Sequence, residues 1–96
     1  MEIQYIDING NKLKGVKIPT ENTAILIIEA PKGFLGCGYF DIEVANKFND
    51  AAAIVTGVKT LKEMLQNPVQ RVSKAAQDLG IKVGALGIDA LGKMVD

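Results

Sequence analysis

Cys37 stands between Gly36 and Gly38 in a chain of 96 residues that has no other cysteine and no histidine. Flanking glycines let backbone come close to a bound group, and Asp41, four residues on, is a helix-capping type whose helix would open beside the sulfur. A cysteine there could attack an electrophile as thiolate, with nearby N–H groups holding the developing anion. Without imidazole, proton transfer falls to Lys32, Lys59, Asp41 or another lysine, carboxylate or tyrosine, and Lys59 and Asp41 are the two taken for the role. Cys37, Asp41 and Lys59 are therefore the candidate catalytic set. The competing reading makes Cys37 a packing residue, since free cysteine is among the residue types most often enclosed in a core.

Two further segments offer polar groups to a ligand. Gly84-Ala85-Leu86-Gly87-Ile88-Asp89 is a glycine-containing turn into a helix, where unpaired N–H groups can face an anion. It lacks the spacing and the Lys-Ser/Thr ending of a phosphate loop, and Asp89 would repel an anion, so turn geometry and close packing compete as the reason for Gly84 and Gly87. Lys59-Thr60 lies at a strand-to-helix junction, where Thr60 either contacts a ligand or only caps the helix. Gly36, Gly38, Thr60, Gly84 and Gly87 form the candidate ligand-binding set. The acids are scattered, no calcium loop is written, and histidine is absent, so neither a metal site nor a cofactor is expected.

The elements that must position these residues follow from pattern. Residues 2 to 18 read as a hairpin about Asn9-Gly10, whose residue types suit the two positive φ angles of a type I′ turn. A two-residue loop sets Ile8 opposite Asn11, Asp7 opposite Lys12, Ile6 opposite Leu13, Ile3 opposite Val16 and Glu2 opposite Lys17, matching acid to base and apolar to apolar. Gly15 in the second strand suggests a bulge. After the polar link Pro19 to Thr23, Ala24 to Ile28 shows no alternation and reads as a central strand covered on both faces. Pro31-Lys32-Gly33 has turn chemistry, and Phe34 to Gly38 returns as a short strand.

Asp41 caps a helix over roughly 42 to 49, and Ala52 to Val55 reads as another covered strand. Thr60 with Glu63 matches the capping box ahead of Leu61, Met64 and Leu65. Asn67-Pro68 predicts a stop and a new helix from Pro68 to Leu79, ended by Gly80. Ile81 to Val83 reads as a brief edge strand, and a last helix bears Ile88, Leu91, Met94 and Val95. The expected fold is α+β: one domain over residues 1 to 96, an antiparallel or mixed sheet of about four to six strands with three or four helices, and an N-terminal hairpin.

Composition bounds the partners. Lys plus Arg equal Asp plus Glu at 11 each, and Arg71 is the lone arginine, so no net field favours nucleic acid or anionic lipid. The opening residues lack the basic and then apolar pattern of a secretory signal, and the longest apolar stretch, Ala24 to Ile28, falls far short of a membrane span. A cytoplasmic protein without membrane or nucleic-acid partners is expected. If the strands are apolar on both sides, either the helices divide between the faces or a second copy covers the remainder, which predicts a homo-oligomer.

The run Lys32-Gly33-Phe34-Leu35-Gly36-Cys37-Gly38-Tyr39-Phe40-Asp41 resembles the Cys-Gly-x-x-Asp signature of the YunC-like family, small bacterial and archaeal proteins classed as a domain of unknown function. Val55-Thr56-Gly57-Val58-Lys59-Thr60, Met64-Leu65, Val69, Val72, Ala75-Ala76, Leu79-Gly80-Ile81, Gly84, Gly87, Ala90 and Leu91 resemble its second half. The resemblance implies a compact α+β domain and supplies no activity, substrate or cofactor. Two functional readings stand: a self-associating structural or small-ligand-binding module, and a thiol-dependent enzyme built on Cys37 with Lys59 or Asp41.

Overall fold

At the first turn of the chain, φ is 51° at Asn9 and 83° at Gly10, the left-handed pair that a tight hairpin requires. In the computed structural model, which describes residues 1–95, β1 (Glu2–Ile8) and β2 (Asn11–Pro19) leave that turn in the expected register, from Ile8 opposite Asn11 to Glu2 opposite Lys17. The charges use the register differently from simple pairing. Lys12 places its ammonium 5.9 Å from the centroid of the Tyr5 ring, and the Glu2 carboxylate accepts from the Gln4 amide at 2.6 Å. The bulge expected at Gly15 is absent, since Gln4, Tyr5 and Ile6 pair Gly15, Lys14 and Leu13 without interruption. Glycine is needed there for space: an added Cβ would lie 3.0 Å from Leu61 Cδ1 and 3.1 Å from Ile6 Cδ1.

β3 (Ala24–Ala30) and β4 (Gly33–Gly36) extend the antiparallel meander, joined by the Pro31-Lys32 turn. A helical crossover, α1 (Ile42–Lys47), then brings β5 (Ala52–Ile54) in parallel to β4. The six-stranded sheet runs β1-β2-β3-β4-β5-β6 in chain order, β6 (Arg71–Val72) closing the far edge antiparallel to β5. This is a mixed sheet with four helices, the expected α+β class.

The helices divide between the two faces. α2 (Leu61–Gln66) and α4 (Gly87–Gly92) lie on the face that carries Leu13, Leu26, Ile28, Leu35, Ala53 and Val55. There Leu61, Met64, Ala90 and Leu91 close the core, each large apolar side chain contributing about 2 kcal/mol by its burial. α4 comes close because of Gly87, where a Cβ would stand 1.9 Å from the Met64 carbonyl oxygen. On the opposite face α1 buries Ala45 over β5, whose Ala52 and Ile54 are enclosed outside the main core. β5 is thus covered on both sides as expected. β3 is covered fully on one side only: Leu26 and Ile28 are buried, Ile25 and Ile27 half-buried.

Two expectations fail between residues 68 and 83. The helix predicted from Pro68 to Leu79 is split, its first half being extended chain and β6, its second the short α3 (Lys74–Asp78). Spacing of Val69 and Val72 suits a helix, but sheet partners take the backbone: Gln70 N–H donates to Ile54 C=O at 2.8 Å and Ser73 N–H to Ala52 C=O at 2.9 Å. Tertiary pairing of β-branched residues overrides a local helical pattern. Ile81 to Val83 forms no strand. Ile81 N–H closes the end of α3 on Ala76 C=O at 3.1 Å, and the isolated bridge falls between Pro68 and Leu86.

Candidate functional site

Cys37 is the residue at which β4 leaves the sheet. Its N–H donates to Leu26 C=O at 3.0 Å, and its Sγ accepts from Leu26 N–H at 3.2 Å, so sulfur replaces a carbonyl at the last rung of the ladder. Phe40 N–H then donates to Cys37 C=O at 3.1 Å, folding Gly38 and Tyr39 into a turn. The side chain is only 3% exposed.

Beyond this turn lies a cavity of about 320 Å³. Cys37, Gly38 and Tyr39 enter it from the end of β4, and Gly57, Val58 and Lys59 from the end of β5, with Thr23 and Ala24 as the third wall. β4 and β5 are the parallel pair, and the space beyond the carboxyl ends of parallel strands is where open α/β sheets bind ligands. The strands stop there for local reasons. Gly57 takes φ 75°, turning the chain after β5, and Gly38 lies flat against Thr56, where a Cβ would be 3.3 Å from Cγ2. Thr56 is in turn tied to Gln70 by a short hydroxyl-to-amide hydrogen bond.

The lining residues are chemically mixed: Lys59 carries an ammonium, Thr23 and Tyr39 carry hydroxyls, and Ala24 and Val58 are apolar. Tyr39 Oη donates to Thr20 Oγ1 at 3.5 Å. Lys59 is held by its backbone: its N–H donates to Glu63 Oε1 at 2.8 Å, and that bond is the first cause holding the Glu63 carboxyl below its ordinary value, ahead of the Thr60 hydrogen bonds and the Lys59 charge. Glu63 also accepts from Thr60 N–H at 3.1 Å while Thr60 Oγ1 accepts from Glu63 N–H at 3.1 Å, completing the capping box of α2.

Of the residues singled out by sequence, Cys37, Gly38 and Lys59 come together in this cavity; the others are placed elsewhere. Asp41 caps α1, its Oδ1 accepting from Glu43 N–H at 2.9 Å. Thr60 is committed to its capping box. Gly36 makes room for Phe40, whose Cδ2 would be 2.7 Å from a Cβ at that position. Gly84 serves a left-handed turn at φ 98°, and Gly87 the close approach of α4 to α2. Thr23, Tyr39 and Gly57 line the cavity without a sequence signal that singled them out, save that Gly57 follows a strand within three residues. A larger recess, about 620 Å³, opens between the first hairpin turn and α4, with Asp7, Asp89 and Lys93 on its walls. It holds neither the thiol nor the carboxyl ends of the parallel pair β4 and β5, so the smaller cavity has the stronger chemistry.

A family model described as "Domain of unknown function (DUF1805)" matches residues 36–94. The chain is 34% identical over 94 residues to "Uncharacterized protein YunC" of Bacillus subtilis (strain 168), covering 94% of this chain and 93% of the relative. The crystal structure of a protein of unknown function, TA1206 from Thermoplasma acidophilum, superposes with a TM-score of 0.92 at 36% identity, covering 97% of this chain and 91% of that one. No helix among the described residues is long and apolar enough to cross a membrane.

Proposed function

The chain belongs to the DUF1805 family, and from its cavity and its sheet we propose that it is a cytoplasmic small-ligand-binding module that works as an assembly of identical copies. The observation that supports the ligand reading is the cavity beyond β4 and β5, whose lining residues include Lys59, Thr23, Tyr39 and Cys37 beside the apolar Ala24 and Val58. A few placed polar groups over an apolar lining is the usual make-up of a small-molecule site, and about 320 Å³ is near the lower end of their volumes. Lys59 as the single cation points to a small organic anion with an apolar body. In this reading Lys59 holds the anionic group, Tyr39 and Thr23 donate hydrogen bonds, and Cys37 stiffens the wall. Thermal unfolding with short carboxylates such as butyrate and benzoate tests it. A carboxylate at ten times its dissociation constant adds about 1.4 kcal/mol to stability, a rise of roughly 6–11 °C in Tm for a chain this size, which Lys59→Met abolishes. Equal shifts in both proteins contradict the reading.

The second reading, a thiol-dependent enzyme, is favoured by one observation: Cys37 and Lys59 share the cavity. Sulfur would attack an electrophilic ligand, Gly38 N–H would hold the anion, and Lys59 would move the proton. Against it stand the burial of Cys37 and the Leu26 N–H on its sulfur. Iodoacetamide at neutral pH separates the two, with alkylation of native protein faster than that of a free thiol supporting the enzyme, and alkylation only on unfolding supporting the module.

A further inference from the structure

Strand alternation places Ile3, Val16, Ile18, Ile25 and Ile27 on the face of the sheet opposite α2 and α4. The register makes them one patch: Ile3 lies opposite Val16, Val16 opposite Ile27, and Ile18 opposite Ile25. The same row continues to Gly36, over which the Phe40 ring sits beside Phe34, the two rings 5.5 Å apart. α1 covers this face over β5. Ile3 is 43% and Ile18 42% exposed, and Tyr5, next on β1, is 64% exposed.

Past the aliphatic rows the face carries Lys12 and Lys14 with Asp7 and Glu29, Lys14 lying opposite Glu29 and Asp7 opposite Lys12. Four strands about 4.8 Å apart over about six residues of 3.3 Å rise give a footprint of about 400 Å², part of it aliphatic and part the charged rows. Monomers rarely expose contiguous apolar patches beyond a few hundred Å². Two such faces together would bury at least about 800 Å², the scale of a weak, concentration-dependent dimer.

We propose that this face docks on the same face of a second copy, sheet on sheet about a two-fold axis. The proposal rests on the self-association reading and names the surface it uses. A two-fold interface needs a self-complementary patch, and the charges supply it: two cations and two anions border one aliphatic strip, so the patch complements itself. Nucleic acid or an anionic membrane would ask for one sign only. Flat rows of β-branched side chains suit aligned sheet packing, with sheets about 10 Å apart and strands crossing at about 30°.

Sedimentation velocity on the whole chain tests the proposal, alongside Ile3→Lys and Ile18→Lys, which alter positions already partly exposed, and Val83→Lys as a control away from the face. The expected result is a dimer for the unaltered protein and for Val83→Lys, with dissociation constants raised on the order of a hundredfold or more in the two face variants because each charge enters the interface twice. Circular dichroism checks that the variants stay folded. A second measurement needs no variant: nitration of Tyr5 by tetranitromethane, mapped by mass spectrometry, should rise as the unaltered protein is diluted through its dissociation range. A monomer at high concentration overturns self-association and the surface together. A dimer untouched by both face variants, or Tyr5 nitration independent of dilution, overturns the surface and leaves self-association standing.

Discussion

Replacing Cys37 by alanine tests what the sulfur does in the resting protein. Leu26 is fully buried and its N–H donates to Cys37 Sγ at 3.2 Å. Cys37→Ala removes that acceptor and leaves a buried donor orphaned at about 1–3 kcal/mol, of which a sulfur acceptor takes the lower part. Lost packing of the sulfur adds about 1 kcal/mol, for a total of about 2–3 kcal/mol. In a 60–100-residue domain each kcal/mol moves Tm by about 4–8 °C, so a fall of about 8–24 °C is expected. Urea titration followed by circular dichroism gives the free energy, and amide hydrogen exchange gives the location. Leu26 should lose protection by at least about tenfold beyond the global change. A loss under about 1 kcal/mol, with Leu26 protection following global stability, would refute the structural role of the sulfur.

Ser73 is fully buried, donating to Asp50 C=O at 2.7 Å and accepting from Ala52 N–H at 2.9 Å and Ala76 N–H at 3.2 Å. Ser73→Ala therefore orphans groups on β5 and α3 together and should cost about 2–4 kcal/mol in urea titrations. Gly87→Ala forces a Cβ to within 1.9 Å of Met64 carbonyl oxygen and should exceed about 3 kcal/mol; Gly57→Ala, at φ 75° in open space, should cost only about 1–2 kcal/mol. The Glu63 carboxyl is held below its ordinary 4.5, so its charge adds stability that is present above that pH and lost as pH falls through the folded value. Thermal melts of the unaltered protein and Glu63→Gln should accordingly differ near neutrality and converge in acid; a gap that widens on acidification would contradict this.

The hairpin and both side-chain caps at Asp41 and Thr60 were legible because each is local: Asn9-Gly10 sets a register by itself, and a cap is decided within four residues. Lys59 and Cys37 were legible as types, and the topology supplied their proximity, since only the parallel placement of β5 beside β4 brings the two strand ends together. What sequence missed was decided by distant backbone. Val69 and Val72 keep helical spacing, yet Ile54 and Ala52 take the hydrogen bonds of Gln70 and Ser73. The cap at Ser73 had its signal, a serine ahead of Lys74-Ala75-Ala76, but the longer helix pattern hid it. Gly15 and Gly36 each make room for a neighbour that no local reading names, whereas Gly87 takes the close-packing alternative that its sequence already offered.

The claim at the centre of the account is that the space beyond β4 and β5 holds a small organic anion. The most direct measurement is a two-dimensional amide NMR titration of the whole chain with butyrate and benzoate, repeated on Lys59→Met. Saturable shifts concentrated at Gly38, Tyr39, Gly57 and Val58, lost with the lysine, are expected. Shifts centred instead on Asp7, Asp89 and Lys93, or unchanged in Lys59→Met, would contradict it.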